Sequence, residues 1–284
     1  SITPFKLTFN VLQHQSKEFM EIAADNPALY VSLDNQFIPA MEYTYTYDNA
    51  SVRRVKNPIW WQSTVTSAGN VTATIYRAFG KPYNEEGKKL LGAPFSQFMK
   101  FNTEFRHLWN IDKNNKIASR VALGALFAYG NATIAPYSEQ FYVGGANSIR
   151  AFTVRGVGPG SYIPGASAYS YIDQMGDFKI EMNAEYRFPI VSMLSGAVFL
   201  DAGNVWLLDA DVNRPGGTFD ISRFGKDLAL GTGLGIRCDL DFLVLRFDVG
   251  VGLHAPYDTG KSGYYNMPKF KDSLGYHFAV GYPF

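Results

Sequence analysis

Apolar and polar residues alternate with a period of two along most of this chain, most clearly from Asp177 to Phe188. One face of that segment carries only apolar side chains, whereas the other carries charged residues and one amide. Successive side chains of a β-strand point to opposite faces, so this pattern predicts a strand that separates two very different media. The same alternation at 242–253 and 273–284 predicts an all-β fold.

The pattern predicts ten strands along the chain, at 5–12, 36–48, 58–68, 96–108, 116–129, 177–189, 194–206, 227–239, 242–253 and 273–284. The connections between them are about 23, 9, 27, 7, 47, 4, 20, 2 and 19 residues long, so long and short connections alternate without exception. A membrane barrel has short turns on its periplasmic side and long loops outside. We therefore expect both chain ends on the periplasmic side of a bacterial outer membrane. The first long connection also predicts a short amphipathic helix at 16–25.

The medium on the apolar face decides between a membrane protein and a soluble one. The sequence contains no run of about 18 apolar residues, so only strands are suited to crossing a bilayer. A sheet in hydrocarbon has to close, because lipid offers no hydrogen-bond partners to a free edge. The 22 Phe, 18 Tyr and 4 Trp can furnish aromatic belts at the lipid–water boundary. The sequence thus predicts an antiparallel transmembrane β-barrel in contact with the lipid bilayer. The alternative is a soluble barrel or sandwich whose apolar face is an ordinary core.

Composition and motifs argue against several classes of function. The 26 basic and 25 acidic residues leave a net charge of +1, without the basic excess of a nucleic-acid binder. Cys238 is the only cysteine and the 4 histidines lack metal-ligand spacing, so neither a disulfide nor a metal site is predicted. Gly231, Gly233 and Gly235 lie inside a predicted strand, which disfavours a dinucleotide site. No nucleophile has a recognisable catalytic context, so we expect neither enzyme activity nor a cofactor.

The longest connection, at about 130–176, departs from an ordinary solvated loop. Its segment from Phe141 to Phe152 begins with apolar residues, turns at a glycine pair and then offers Arg150 between apolar neighbours. A single Arg in that setting suits a lumen better than open water, because a lumen can supply acidic partners. We therefore predict that this loop folds into the barrel.

Alternation points three carboxylates of the following strands toward the lumen, namely Glu181, Glu185 and Asp201. One guanidinium carries enough donors to bridge two carboxylates. These three acids are therefore the candidate partners of Arg150, which can bridge two of them.

Five segments of the chain carry a family pattern in one order: Tyr142–Phe152, Asn183–Pro189, Phe199–Trp206, Gly233–Arg237 and Gly281–Phe284. Together they resemble the BamA/TamA surface-antigen family, and the chain is most similar to the TamA-like barrels of Bacteroidetes. The likeness covers roughly residues 96–284. It implies that residues 1–284 are the C-terminal part of one outer-membrane barrel of about sixteen strands, whose earlier strands and periplasmic repeats lie upstream.

The resemblance also assigns site residues. The family's loop arginine falls on Arg150, its strand glutamate on Glu185 and the aspartate of the next strand on Asp201. The rest of the signature loop falls on Gly144, Gly145, Ser148 and Phe152. Ala151 stands where the family usually has glycine, which affects the tightness of the turn rather than the charge contact.

The last predicted strand contains two glycines, Gly275 and Gly281. Either one can kink the strand and weaken the seam where a barrel closes, or both can simply leave room in the lumen. Phe284 resembles the aromatic terminal signal by which such barrels are themselves recognised.

The resemblance implies a non-enzymatic protein that inserts or translocates other proteins into or across the outer membrane through a weak lateral seam. Its partners would be client outer-membrane or secreted proteins and periplasmic or lipoprotein accessory subunits. The alternatives are a secretion pore dedicated to one polypeptide and a passive diffusion channel or adhesin.

Overall fold

The computed structural model describes residues 1–11, 17, 20, 27–51, 55–163 and 170–284. The described strands are β1 (Ile2–Asn10), β2 (Gln36–Asp48), β3 (Ile59–Ala68), β4 (Lys89–Leu90), β5 (Ala93–Pro94), β6 (Phe98–Asn110), β7 (Lys116–Ala128), β8 (Phe178–Val191), β9 (Leu194–Trp206), β10 (Ala229–Asp239), β11 (Val244–His254) and β12 (Leu274–Val280). The described helices are α1 (Pro27–Leu33), α2 (Asn70–Ala78) and α3 (Phe224–Asp227), with 3₁₀ turns at Tyr137–Glu139, Ser170–Asp173 and Lys271–Ser273. The helix predicted at 16–25 falls outside the described residues, apart from Lys17 and Met20.

Ten strands form one antiparallel sheet in the order β1-β2-β3-β6-β7-β8-β9-β10-β11-β12. Each long strand therefore pairs with the next long strand along the chain, as in an up-and-down meander. This confirms the predicted all-β architecture and the ten predicted strands. The two short strands β4 and β5 form a separate hairpin within the connection from β3 to β6. Within the described residues, no helix is both long and apolar enough to cross a membrane.

The last strand differs from its predicted bounds. It ends at Val280 instead of continuing to Phe284, because Gly281 adopts a φ of +86° that is incompatible with extended backbone. The N–H of Gly281 still donates to the carbonyl of Val244 at 2.8 Å, so the chain leaves the sheet directly after this bond.

The alternation in the sequence becomes two contrasting faces of the sheet. In β8, Glu181, Asn183 and Glu185 are buried, whereas Ala184 and Tyr186 on the opposite side are exposed. We call these sides the polar face and the apolar face. Large exposed side chains continue the apolar face on other strands, among them Phe101, Phe105, Trp109, Leu200, Phe247 and Phe278.

The chain divides into two compact units that cut across the strands. The first unit is Ser1–Thr46, Ser63–Asn102 and Gly124–Gln140, and the second is Tyr47–Gln62, Thr103–Leu123 and Phe141–Phe284. Buried apolar side chains of the first unit include Ile38, Phe95 and Phe98, and those of the second include Ile149, Phe199 and Trp206. Every predicted site residue belongs to the second unit.

Candidate functional site

The segment 141–152 makes a tight turn against the polar face. Gly144 and Gly145 have φ values of +98° and +94°, which side-chain-bearing residues rarely adopt. The amide of Gly145 donates to the carbonyl of Phe152 at 2.8 Å, and the amide of Gly144 donates to the hydroxyl of Ser148 at 2.9 Å. These bonds bring the two arms of the turn together, with Phe152 buried. All four predicted signature residues thus shape the turn that presents Arg150.

Arg150 is fully buried and binds both of the carboxylates that the resemblance assigned to it. Its Nε donates to Asp201 Oδ2 at 2.8 Å and its Nη2 donates to Asp201 Oδ1 at 2.9 Å, which makes the pairing bidentate. The backbone amide of Arg150 donates to the same Oδ2 at 3.1 Å. Nη1 donates to Glu185 Oε2. The guanidinium carbon also lies 3.5 Å from the centroid of the Phe199 ring.

The register of β8 and β9 explains why these acids meet one guanidinium. Asn183 pairs with Asp201 across the two strands, and Glu185 lies two residues along the same face of β8. Asn183 Nδ2 donates to Asp201 Oδ1 at 2.9 Å and to the carbonyl of Ser148 at 3.0 Å. Asn183 of β8 therefore links β9 to the loop next to the ion pairs.

Glu181, the third inward carboxylate, lies on the polar face as predicted but binds cations other than Arg150. Arg120 Nη1 donates to Glu181 Oε1 at 2.9 Å, and Lys179 Nζ lies 3.6 Å from Glu181 Oε2. Arg120 also contacts the loop, because its Nη1 lies 3.1 Å from the carbonyl of Asn147. Of the three inward carboxylates, Arg150 therefore binds the two that the resemblance assigned to it.

Further charges extend the cluster beyond the residues predicted from sequence. Glu185 accepts from Arg187 Nε at 2.7 Å and from Arg237 Nη2 at 2.8 Å. Arg237 Nη1 also donates to Asp248 Oδ1 at 2.5 Å, and Arg246 Nε lies 3.5 Å from Asp248 Oδ2. We call these seven charged residues the Arg150 network: Arg150, Glu185, Arg187, Asp201, Arg237, Arg246 and Asp248.

The Arg150 network holds four guanidinium groups and three carboxylates. Arg246 Nη2 donates to Asn147 Oδ1 at 2.6 Å, whereas its buried Nη1 has no hydrogen-bond partner among the described residues. Burial disfavours the charge of Arg150, but Asp201 and Glu185 outweigh that effect and raise the pKa of its guanidinium above the usual value. Arg150 therefore stays charged in the loop, and the network keeps an excess of one positive charge.

Small residues on the last strands allow the loop backbone to approach the sheet. A Cβ added to Gly250 would lie 2.7 Å from the carbonyl carbon of Arg150, and one added to Gly275 would lie 2.6 Å from its carbonyl oxygen. His277 Nε2 lies 2.7 Å from that oxygen, which can only accept, so this nitrogen carries the proton. Gly275 thus leaves room for the loop, whereas the bend of the chain lies at Gly281.

The C-terminal residues contact the polar face at Arg187. Its guanidinium carbon lies 4.4 Å from the centroid of the Tyr282 ring, and its Nη2 is 3.4 Å from the backbone oxygen of Phe284. Phe284 also lines a cavity of about 230 Å³ together with Trp60 and Arg106. The turn at Gly281 therefore directs the chain end toward a residue of the Arg150 network.

Sequence reasoning did not include Arg237, Arg246 and Asp248 in the site, although a signal was present. The alternation in β10 and β11 places all three on the polar face. Their partners depend on register, since Gly235 pairs with Asp248 and Arg237 with Arg246. Within the described residues, no group of three or more His, Cys, Asp or Glu side chains is arranged to hold a metal ion.

Comparison with known proteins identifies a family model that matches most of this chain. Residues 34–284 match the model of the Omp85 superfamily domain. The outer membrane protein assembly factor BamA of Nitratidesulfovibrio vulgaris is 27% identical over 201 residues, which are 70% of this chain and 22% of that protein.

Two solved structures share the fold. BamA from Haemophilus ducreyi lacking POTRA domains 1-3 aligns with a TM-score of 0.55 at 14% identity, over 88% of this chain and 44% of that chain. CdiB from Escherichia coli aligns with a TM-score of 0.51 at 14% identity, over 87% of this chain and 37% of that chain. This chain therefore spans less than half the length of each of these proteins.

Proposed function

This chain belongs to the Omp85 superfamily, and we propose that it acts as an outer-membrane barrel that inserts or translocates other proteins without catalysis. Membership confirms the predicted family, while the narrower likeness to TamA-like proteins of Bacteroidetes stays a prediction. The ten strands would contribute to the wall of a larger barrel. Its partners would be the lipid bilayer, client proteins and accessory subunits.

The contrast between the two faces supports the membrane placement. Exposed aromatic and aliphatic side chains on the apolar face suit hydrocarbon, while the buried charges of the Arg150 network suit a lumen. The proposal places the short connections and both chain ends on the periplasmic side. The long connections then lie outside the cell.

The contact between the loop and the last strand carries the functional proposal. His277 and Gly275 of β12 touch the carbonyl of Arg150, whose side chain is held by β8 and β9. β12 is only seven residues long, whereas its partner β11 has eleven. A short strand offers few backbone bonds to a neighbour, so the seam at β12 is a suitable place for a client strand to add. Arg150 would stabilise β12 while the client pairs.

Crosslinking at β12 tests this proposal. A photoreactive residue at Tyr276 of the full-length protein in proteoliposomes should form adducts with an unfolded outer-membrane barrel precursor. The matched control is Leu234, which has the same exposure of 63% but lies on β10, between two paired strands. Equal adducts at both positions, or equal adducts with a soluble periplasmic protein, would contradict strand addition at β12.

A further inference from the structure

Helix α2 presents apolar side chains on part of its exposed surface. Val71 and Ile75 lie four residues apart on α2, and Phe79 follows its last residue with an N–H that still donates to the carbonyl of Ile75 at 3.2 Å. The three side chains are 56%, 52% and 83% exposed. Ala73, on the opposite side, is fully buried. Residues four apart lie on the same side of a helix, so these three side chains form one stripe that points away from the protein.

The start of α2 is anchored on the apolar face of the sheet. Asn70 Nδ2 donates to Ser67 Oγ at 2.8 Å and lies 3.7 Å from Met99 Sδ, and Asn70 Oδ1 accepts from the Tyr129 hydroxyl at 3.0 Å. Each of these partners lies two residues from a side chain that is exposed on the apolar face. Ser67 follows Val65, Met99 precedes Phe101, and Tyr129 follows Phe127. By strand alternation these three partners of Asn70 lie on that face.

The rest of the connection from β3 to β6 is held by Asn70 and Asn131. Tyr83 Oη donates to Asn70 Oδ1 at 2.8 Å. Asn131 binds the backbone of Lys88 in both directions and donates to the carbonyl of Phe95 at 2.8 Å. The hairpin of β4 and β5 presents Leu91 at its tip, which is 84% exposed. The connection is thus fastened to residues next to β6 and β7 while it presents further apolar groups outward.

We propose that α2 lies in the membrane interface at the long-loop end of the strands, with Val71, Ile75 and Phe79 inserted among lipid acyl chains. This inference rests on the proposed membrane placement of the sheet. The stripe continues the surface that lipid would cover, because its anchor residues lie on that surface. Arg77 and Lys81 are also exposed, and their cationic groups are suited to phosphate-bearing lipid headgroups. The helix would fix the wall at β3 and β6 to one leaflet.

Site-directed spin labelling of the full-length protein in bilayers without client tests this placement. Ile75→Cys and Phe79→Cys, each in a Cys238→Ser background, would report on the stripe. Arg77→Cys is the matched control on the same helix, since it is exposed but lies on another side. We expect the ratio of oxygen to water-soluble nickel accessibility at 75 and 79 to exceed that at 77 by about threefold or more.

A label at Phe127 separates this inference from the membrane placement on which it depends. Lipid exposure at 127 together with free access of nickel at 75 and 79 would overturn the placement of α2 alone. Free access of nickel at 127 would overturn the membrane placement as well. Shielding of 75 and 79 from both oxygen and nickel, rising with protein density in the bilayer, would show that a second protein copy covers the stripe and would also refute lipid insertion.

Discussion

Neutralising Asp201 should destabilise the protein more than removing Arg150, although the two residues form one ion pair. In Arg150→Met, Asp201 loses its cation but keeps the amide of Asn183 at 2.9 Å. Glu185 keeps both Arg187 and Arg237. In Asp201→Asn, four guanidinium groups face two carboxylates. A carboxylate can take up a proton, whereas a guanidinium cannot lose one, so the second imbalance is harder to relieve.

The structure sets the expected magnitudes. Breaking a fully buried pair by removing one partner costs about 3–5 kcal/mol. The remaining partners of Glu185 and Asp201 should reduce the cost of Arg150→Met to about 2 kcal/mol, while Asp201→Asn should keep about 3 kcal/mol. The double variant, Arg150→Met with Asp201→Asn, removes both charges of the pair. Its loss of unfolding free energy should therefore be about 2 kcal/mol smaller than the sum of the two single losses.

Urea unfolding of the full-length protein in detergent micelles, followed by tryptophan fluorescence, gives the four free energies of unfolding. Limited proteolysis of the segment 152–158 reports separately whether the loop is still docked. Strictly additive costs would show that the bidentate contact contributes nothing, and a larger cost for Arg150→Met than for Asp201→Asn would refute the charge-imbalance argument.

Three further outcomes are expected from other parts of the second unit. Gly250→Ala should undock the loop and raise its rate of proteolysis several-fold, because the new Cβ would meet the Arg150 carbonyl carbon; Gly225→Ala, with open space around it, should leave that rate unchanged. Burial raises the pKa of Asp177 to about 6, above its ordinary 3.8, so the folded state binds the proton more tightly and stability should rise as pH falls from 7 to 5. Asp177→Asn should remove this slope and stabilise the protein by up to about 3 kcal/mol at pH 7.5, and a slope that persists in urea titrations would contradict the assignment. Arg187→Met should free the C-terminal residues, which faster carboxypeptidase trimming of Phe284 would reveal and unchanged trimming would refute.

The strands could be predicted because they follow from alternation, whereas the choice of Glu185 and Asp201 as partners of Arg150 came from the family resemblance. Alternation does place Glu185 of β8 and Asp201 of β9 on the same face of the sheet. The rest of the Arg150 network depends on register. Arg237 and Arg246 lie directly opposite each other, a like-charge pairing that sequence reasoning would reject. It is tolerated because Asp248 lies between them and Glu185 also binds Arg237.

Helix α2 could not be predicted for a different reason. Its sequence, NVTATIYRA, contains four β-branched residues, which favour strands over helices. Gly69, with a φ of +68°, turns the chain out of β3, and the bonds of Asn70 then hold the first turn against the apolar face. Tertiary contacts therefore stabilise the helix, and these contacts cannot be predicted from the local sequence.

Glu185 pairs with arginines of both the loop and the strands, and this sharing lowers the free-energy cost of releasing the loop. Glu185 binds three arginines, and only one of them, Arg150, belongs to the loop. When the loop leaves, Glu185 remains paired with the wall, and the network passes from an excess positive charge to balance. Only Asp201 loses its cation, and Asn183 still donates to it. Releasing the loop therefore costs less free energy than breaking an isolated buried ion pair, because the carboxylates keep most of their partners on the strands. A loop held in this way can be well ordered when docked and yet detach at a modest cost in free energy.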